Sequence, residues 1–304
     1  MQKILEALLE LSSSIVFFVI FAIPYFGALA LVKIAKKKPI NKWEILSVAL
    51  SAVGFVCFVY SWFEPYQLST TEVNITSPKI KEGQTLRIVH LTDLHCDGVV
   101  RTDDKLIQVV RDLKPDLIVF TGDATNNARG YKQFDGLLSQ LSKIAPGYAV
   151  FGNHDDYRSF DPKQFAANGF VLLEGTGTLV KVRDMSVFVD GFFCEWRYPY
   201  QSLGGKTPGD YSILLNHYPD GMFSALKDHF DLFLCGHTHG GQVRVPFYGA
   251  LVTESSLGKK FEYGLYHEQN TDIFVSRGIG MTALPIRFLA PPEVALIVVK
   301  GNGK

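Results

Sequence analysis

Five short fragments rich in metal-binding side chains each close an apolar run. Together they limit this chain to folds that gather several strand ends at one place. They read Asp93-Leu-His95, Gly122-Asp123, Gly152-Asn153-His154-Asp155, His217 and Gly236-His237-Thr238-His239. The runs ahead of them, LRIVHLT, DLIVFT, YAVF, SILLN and DLFLC, have the length and apolar content of buried strands. Loops that leave parallel strands converge along one edge of a sheet, where such folds build their sites. A two-residue step in extended chain keeps both side chains on one side, so Asp93 and His95 can reach one ion, as can His237 and His239. A glycine ahead of Asp123, Asn153 and His237 lets the backbone turn sharply and approach closely. Carboxylate, imidazole and amide donors suit divalent cations.

The rhythm around these fragments predicts an α/β protein. From Leu86 the pattern runs strand, helix (Asp103–Leu113), strand, helix (132–144), strand, as in parallel sheets with crossover helices. After Gly169 it changes to short strands, FVLLE, TLVKV and SVFVDGF, with glycine turns and no helix between them. SILLNH and DLFLCGHTH then bracket a helix near 220–226, and QVRV, DIFVS and VALIVV close the chain. Two packed sheets with helices outside, an α/β sandwich over residues 86–304, account for this order. Residues 65–85, with Pro65, Pro78 and Gly83, read as a linker able to pair as an edge strand.

The first 64 residues differ in kind. Leu11–Val32 is a run of 22 residues without a charge, and Ile45–Phe63 is one of 19. Each can cross a hydrocarbon core of ~30 Å at ~1.5 Å per residue. Trp43, Tyr60, Trp62 and Tyr66 flank the second run as interfacial aromatics do. A signal peptide would need a shorter apolar core and a small-residue cleavage site, and Glu6 and Glu10 fall where its basic start should be. The reading is a transmembrane helical hairpin over residues 1–64, with the lipid bilayer as a partner. Lys33, Lys36, Lys37, Lys38 and Lys42 in its loop place that loop in the cytoplasm and the rest of the chain outside, in a multi-pass inner-membrane protein. Cys96, Cys194 and Cys235, an odd number without paired spacing, lean towards a reducing compartment, and the lysines are the stronger signal. Residues 1–64 hold six of the 30 Lys/Arg and four of the 30 Asp/Glu, which leaves the remainder at about −2. That balance gives no footprint for nucleic-acid binding.

The ordered set DxH, GD, GNHD, H, GHTH resembles the calcineurin-like metallophosphoesterase superfamily over Leu86 to the C-terminus. The tail GHTHGGQVRVP…LGKKFEYGLY…SRGIG…LPIRF…PPE resembles its membrane-associated bacterial phosphodiesterase branch, which includes the UDP-2,3-diacylglucosamine pyrophosphatases of lipid A synthesis. The resemblance implies two divalent ions, manganese first and iron or zinc next. It implies that Asp93, His95 and His239 hold one ion, that Asn153, His217 and His237 hold the other, and that Asp123 bridges them. It implies further that His154 acts on the phosphoryl group rather than as a ligand, with Asp155 or another acid orienting it. After Asp123 the chain reads Ala-Thr-Asn-Asn, where relatives often carry an acidic residue.

Other residues have plainer readings. His90 alternates with apolar neighbours and reads as a core histidine, while His229 and His267 lie in polar stretches and read as surface residues. Cys96 and Cys235 adjoin the fragments as small buried hydrophobes. Arg277 in SRGIG and Arg287 in LPIRF are candidates to meet phosphate bidentately. The expected activity is hydrolysis of a phosphodiester or pyrophosphate in a lipid-linked or cell-envelope substrate. A broad phosphomonoesterase or protein phosphatase is the alternative, and a non-catalytic binding module would be marked by lost ligands, of which there are none.

Overall fold

A computed structural model of the chain describes residues 23–155, 161–175, 177–193 and 207–303. These fall into two compact units that meet in sequence between Trp62 and Phe63.

In the first unit, helix α1 (Ile23–Ala35) packs on helix α2 (Lys42–Ser61) through small residues. Ser47 and Ser51 donate from Oγ to the Ile23 carbonyl at 3.0 and 3.2 Å, and a side chain at Gly27 would collide with Ser51. Asn41 and Glu44 form a reciprocal capping box that starts α2. Lys42–Tyr66 is, among the described residues, the one helical stretch long and apolar enough to cross a membrane. Its side chains are open, Phe55 being 67% exposed. Residues 11–22 of the other expected span, and Cys194, lie outside the described residues, so one candidate spanning helix stands where two were expected.

The second unit contains two six-stranded sheets. The first has β1 (Ser69–Lys81), β2 (Thr85–Leu91), β3 (Leu117–Thr121), β4 (Gly147–Val150), β5 (Phe170–Leu172) and the C-terminal β14 (Glu293–Gly303), in the order β1-β14-β2-β3-β4-β5. The second has β6 (Thr178–Val182), β7 (Met185–Gly191), β8 (Tyr211–Leu215), β9 (Leu232–Cys235), β12 (Gly264–Glu268) and β13 (Thr271–Val275), in the order β12-β13-β9-β8-β7-β6. β10 (Arg244–Val245) and β11 (Gly249–Ala250) form a small separate ribbon. Strands β2 to β5 run parallel, as do β7, β8, β9 and β13.

Alternation along the strands explains the layers. Leu117 and Val119 of β3, and Ala295, Ile297 and Val299 of β14, join Val187, Val189, Ile213, Leu215 and Leu234 of the second sheet in one core. Ile118, Phe120, Leu296 and Val298 point the other way, onto helices α3 (Asp103–Asp112), α4 (Tyr131–Leu141) and α5 (Lys163–Ala167). Leu214, Phe233 and Val275 pack with Met222 and Ala225 of α6 (Met222–Lys227) on the far side. Strands buried on both faces read as continuous apolar runs, which is why the sequence shows them so clearly.

The segment read as a linker is built into the first sheet. β1 runs parallel to β14 from Ser69 opposite Glu293 to Thr76 opposite Lys300. Glu64, buried, accepts hydrogen bonds from the Leu289 and Ala290 N–H groups at 2.9 and 2.6 Å. The sheet therefore begins at Ser69, 17 residues before Leu86.

Candidate metal centre

The five fragments leave the ends of β2, β3, β4, β8 and β9, so the parallel strand order of the two sheets brings them together. Asp93, His95 and His239 form one cluster of potential ligand atoms, and Asp93, Asp123 and His217 form another. Asp123 Oδ2 lies 3.3 Å from His95 Nε2 and 3.3 Å from His217 Nε2. His95 Nε2 is 3.2 Å from His239 Nε2. On the other side His217 Nε2 is 3.0 Å from Asn153 Oδ1 and 3.2 Å from His237 Nδ1.

The backbone that achieves this is strained. Asp93, His95, Asp123, His237 and His239 adopt positive φ of 51°, 43°, 60°, 68° and 52°. Each such residue costs about 1–3 kcal/mol and persists only where its surroundings over-determine it. Two glycines allow the loops to close on Asp93. A side chain at Gly236 would strike its carboxylate, as would one at Gly278, whose φ is itself +67°.

Hydrogen bonds fix which ring nitrogens face inward. Asn126 donates from Nδ2 to the Met281 carbonyl at 2.8 Å, so its Oδ1 is the atom that accepts from His95 Nδ1 at 2.7 Å. The Thr121 carbonyl accepts from His217 Nδ1 at 2.8 Å, and the Glu254 carbonyl accepts from His237 Nε2 at 3.0 Å. Each of these three imidazoles thus turns a lone pair into the cluster, as a metal ligand must. Asp93 Oδ2 accepts from Thr92 Oγ1 at 2.8 Å and from the His237 N–H at 3.1 Å, while its buried Oδ1 has no hydrogen-bond partner. A buried carboxylate oxygen is costly to leave bare. A cation satisfies it, so the donor set fits divalent metal.

The electrostatics agree. Burial alone would lower the proton affinities of His95 and His217, but Asp123 and Asp93 outweigh it and push them up to about 10 and about 9. Burial would raise Asp93 and Asp123, yet the surrounding imidazoles hold both well below the usual carboxylate range. Protons and cations compete for these same atoms, and a field that attracts one attracts the other. His239 is held down to about 3, chiefly by burial.

Residues 86–241 match the calcineurin-like phosphoesterase family. The chain belongs to that family. It is 33% identical over 258 residues to the metallophosphoesterase YkuE of Bacillus subtilis, covering 79% of this chain and 88% of that protein. It is 28% identical over 220 residues to the phosphodiesterase YaeI of Escherichia coli, covering 69% of this chain and 81% of that protein. A zebrafish (Danio rerio) transmembrane protein with a metallophosphoesterase domain is 27% identical over 284 residues, covering 84% of this chain and 62% of that one. The chain is a metallophosphoesterase with phosphodiesterase relatives and a candidate metal site, and one helix that could span a membrane.

Within this metallophosphoesterase the remaining expected site residues fall in different places. His154 is exposed, its N–H donates to Asp123 Oδ1 at 2.8 Å, and its ring meets that of His95 edge-on with centroids 4.9 Å apart. The Asp155 carboxylate, expected to orient His154, bonds backbone N–H groups. That group is buried and accepts from the N–H groups of Gly152, Asp123 and Ala124 at 2.7–2.8 Å, riveting the two loops together. Burial, with the charge of Asp123, pushes it up to about 7.

The two arginines expected to meet phosphate are committed elsewhere. Arg287 is fully buried, and its guanidinium donates to the carbonyls of Gly278 and Gly280 at 3.2 and 3.0 Å, Arg277 at 3.0 Å and Ala290 at 2.7 Å. It touches the centre from behind, with Nη2 3.4 Å from His239 Nδ1. Arg277 pairs with the buried Glu293 at 2.9 Å and lies over the Tyr263 ring. A basic residue in a glycine-rich turn reads equally as an anion binder or as a buried tie, and sequence alone does not separate them.

His90 is the core histidine expected. It bonds Thr121 Oγ1 at 2.8 Å, lies edge-on to Phe274 and is held down to about 4 by burial. Sequence reasoning missed the supports from Asn126, the Thr121 carbonyl and the Glu254 carbonyl. Only Asn126 left a trace, in the Ala-Thr-Asn-Asn stretch that departs from an acidic pattern.

Proposed function

We propose that this metallophosphoesterase is a membrane-anchored dinuclear phosphodiesterase that cleaves a phosphodiester or pyrophosphate bond in a membrane-bound substrate. In this reading Asp93, His95 and His239 would hold one divalent ion, Asn153, His217 and His237 would hold a second, and Asp123 would serve both sets. The observation that carries the dinuclear reading is the single oxygen Asp123 Oδ2, 3.3 Å from an imidazole of each proposed set. Paired divalent cations in such a site supply a nucleophile at neutral pH and offset charge on the attacking and leaving oxygens.

The chain's own residues do the rest. His154, tied by its N–H to the bridging carboxylate, would donate a proton from its ring to the departing oxygen. Asn126, the Thr121 carbonyl and the Glu254 carbonyl keep three imidazoles in the tautomer that offers a lone pair. Asp155 and Arg287 hold the loops that carry the ligands. Membrane attachment is supported by the apolar stretch Lys42–Tyr66 and by the transmembrane relative, and the lysine-rich loop favours an outward-facing domain.

Full-length protein stripped of metal and resupplied with manganese tests the proposal against bis-p-nitrophenyl phosphate. Turnover that depends on the added ion, and that is lost in Asp123→Asn, is expected. Turnover that survives thorough chelation overturns it.

A further inference from the structure

Beside the proposed metal centre lies a cavity of about 180 Å³ that shares His237 and His239 with it. Its apolar walls are Val243, Val252, Ala283, Leu284 and Ile286. Val252 and Leu284 are each 62% exposed. Among the described residues, no Lys, Arg, Phe, Tyr or Trp lines it, and Glu254 is its one carboxylate. The walls are fixed before any ligand arrives. Gln242 donates from Nε2 to the Thr282 and Leu284 carbonyls at 3.1 Å and accepts from the Thr282 N–H at 2.9 Å. Main-chain bonds at 2.9 Å between Gln242 and Phe288, and between Phe288 and Arg244, close the same wall.

We infer that this cavity is the subsite for the group esterified to the phosphate, and that the group is an aliphatic chain. The inference rests on the phosphodiesterase reading above and narrows it. A second phosphate calls for guanidinium, ammonium or free N–H donors, and this lining offers a carboxylate instead. A nucleobase is held by stacking on aromatic rings, and among the described residues the only rings in this lining are the imidazoles of His237 and His239, which the proposed ions engage. A sugar calls for several hydrogen-bonding side chains, and with the Gln242 amide spent on the wall and the Thr238 hydroxyl given to the Glu262 carbonyl, Thr253, Glu254 and Thr282 are left beside five apolar side chains. Methylenes need only the apolar surface that Val243, Val252, Leu284 and Ile286 provide, and a preformed pocket binds them without an ordering cost.

The test is calorimetric binding of methyl, butyl and hexyl phosphate, and of uridine monophosphate, to the full chain in phosphatidylcholine nanodiscs with manganese present. A fully buried methylene strengthens binding by about fourfold, so butyl phosphate is expected to bind at least about tenfold more tightly than methyl phosphate. Uridine monophosphate is expected to bind no more tightly than methyl phosphate. Val252→Ser with Leu284→Ser is expected to cut the butyl advantage to below about threefold. Both side chains are surface-exposed, so the double variant retains the core, and partitioning into the disc is common to parent and variant. A butyl advantage that is absent, or that survives the double variant, overturns the inference, as does tighter binding of the nucleotide. Turnover of bis-p-nitrophenyl phosphate, measured in parallel, judges the underlying reading separately. If turnover fails while the Leu284-dependent alkyl advantage remains, the phosphodiesterase reading falls and the aliphatic subsite stands.

Discussion

Asn126→Ala removes the acceptor that orients His95, and the structure separates its effect on metal binding from its effect on stability. In the parent, Oδ1 takes the His95 Nδ1–H at 2.7 Å and Nδ2 reaches the Met281 carbonyl at 2.8 Å. Without the acceptor, the ring can rotate or change tautomer, and its inward nitrogen no longer presents a fixed lone pair. Loss of such a support costs about 10–100-fold in metal affinity, equivalent to about 1.4–2.7 kcal/mol. The fold should feel less. Asn126 is itself exposed, so water can enter the space it leaves and pair with the two orphaned groups. The metal-free stability change is therefore expected to be under about 1 kcal/mol, below the penalty for a dry unsatisfied group. Asn126→Asp keeps an acceptor and strengthens it by charge, so its affinity is expected to stay within about threefold of the parent, well short of the roughly 10–100-fold loss of a missing support. Calorimetric manganese titration of stripped full-length protein, with chemical denaturation in chelator, reads both quantities. Manganese affinity of Asn126→Ala within twofold of the parent would refute the reasoning, as would a stability loss in chelator that accounts for the whole effect.

Other consequences follow from the same contacts. His154→Ala is expected to keep both ions by metal analysis while losing about 10²–10⁴ in turnover, and an emptied site would contradict its placement outside the ligand set. Arg287→Met strands several buried carbonyls behind His239 and is expected to cost about 3–5 kcal/mol in denaturation experiments. Stability close to the parent's would mean that water or a shifted loop satisfies them. Glu64→Ala leaves the Leu289 and Ala290 N–H groups unpaired, with an expected loss of about 2–6 kcal/mol at about 1–3 kcal/mol per group. A chain beginning at Ser69 should show the same deficit against one beginning at Phe63. A tag at Lys304 is expected to be open to protease in intact spheroplasts, and protection there would reverse the assigned sidedness.

What the sequence disclosed follows from how each feature is encoded. Parallel strands buried on both faces leave unbroken apolar runs, and ligands at their ends sit in short fixed motifs, so the two-sheet architecture and the grouping of Asp93, His95, Asp123, His217, His237 and His239 were legible, whereas the strand order was not. β1 was half legible, because an edge strand alternates weakly and carries Pro78. The supports were hidden. A carbonyl such as Thr121 or Glu254 has no residue signature, and although Asp and His are enriched at positive φ, most of them do not adopt it, so residue type alone did not mark Asp93, His95, Asp123, His237 and His239. Arg287 was read as facing phosphate and Asp155 as orienting His154, and the structure shows both bonded to backbone groups of the scaffold. Local sequence reports the charge of a side chain and not which side of a loop it faces.

The central claim is that seven side chains hold two ions and share one carboxylate. The most direct measurement is anomalous diffraction from crystals of the manganese-loaded protein. Two peaks per chain are predicted, one among Asp93, His95 and His239 and one among Asn153, His217 and His237, with Asp123 in contact with both. A single peak, or peaks that leave Asp123 Oδ2 without a metal neighbour, would contradict the account.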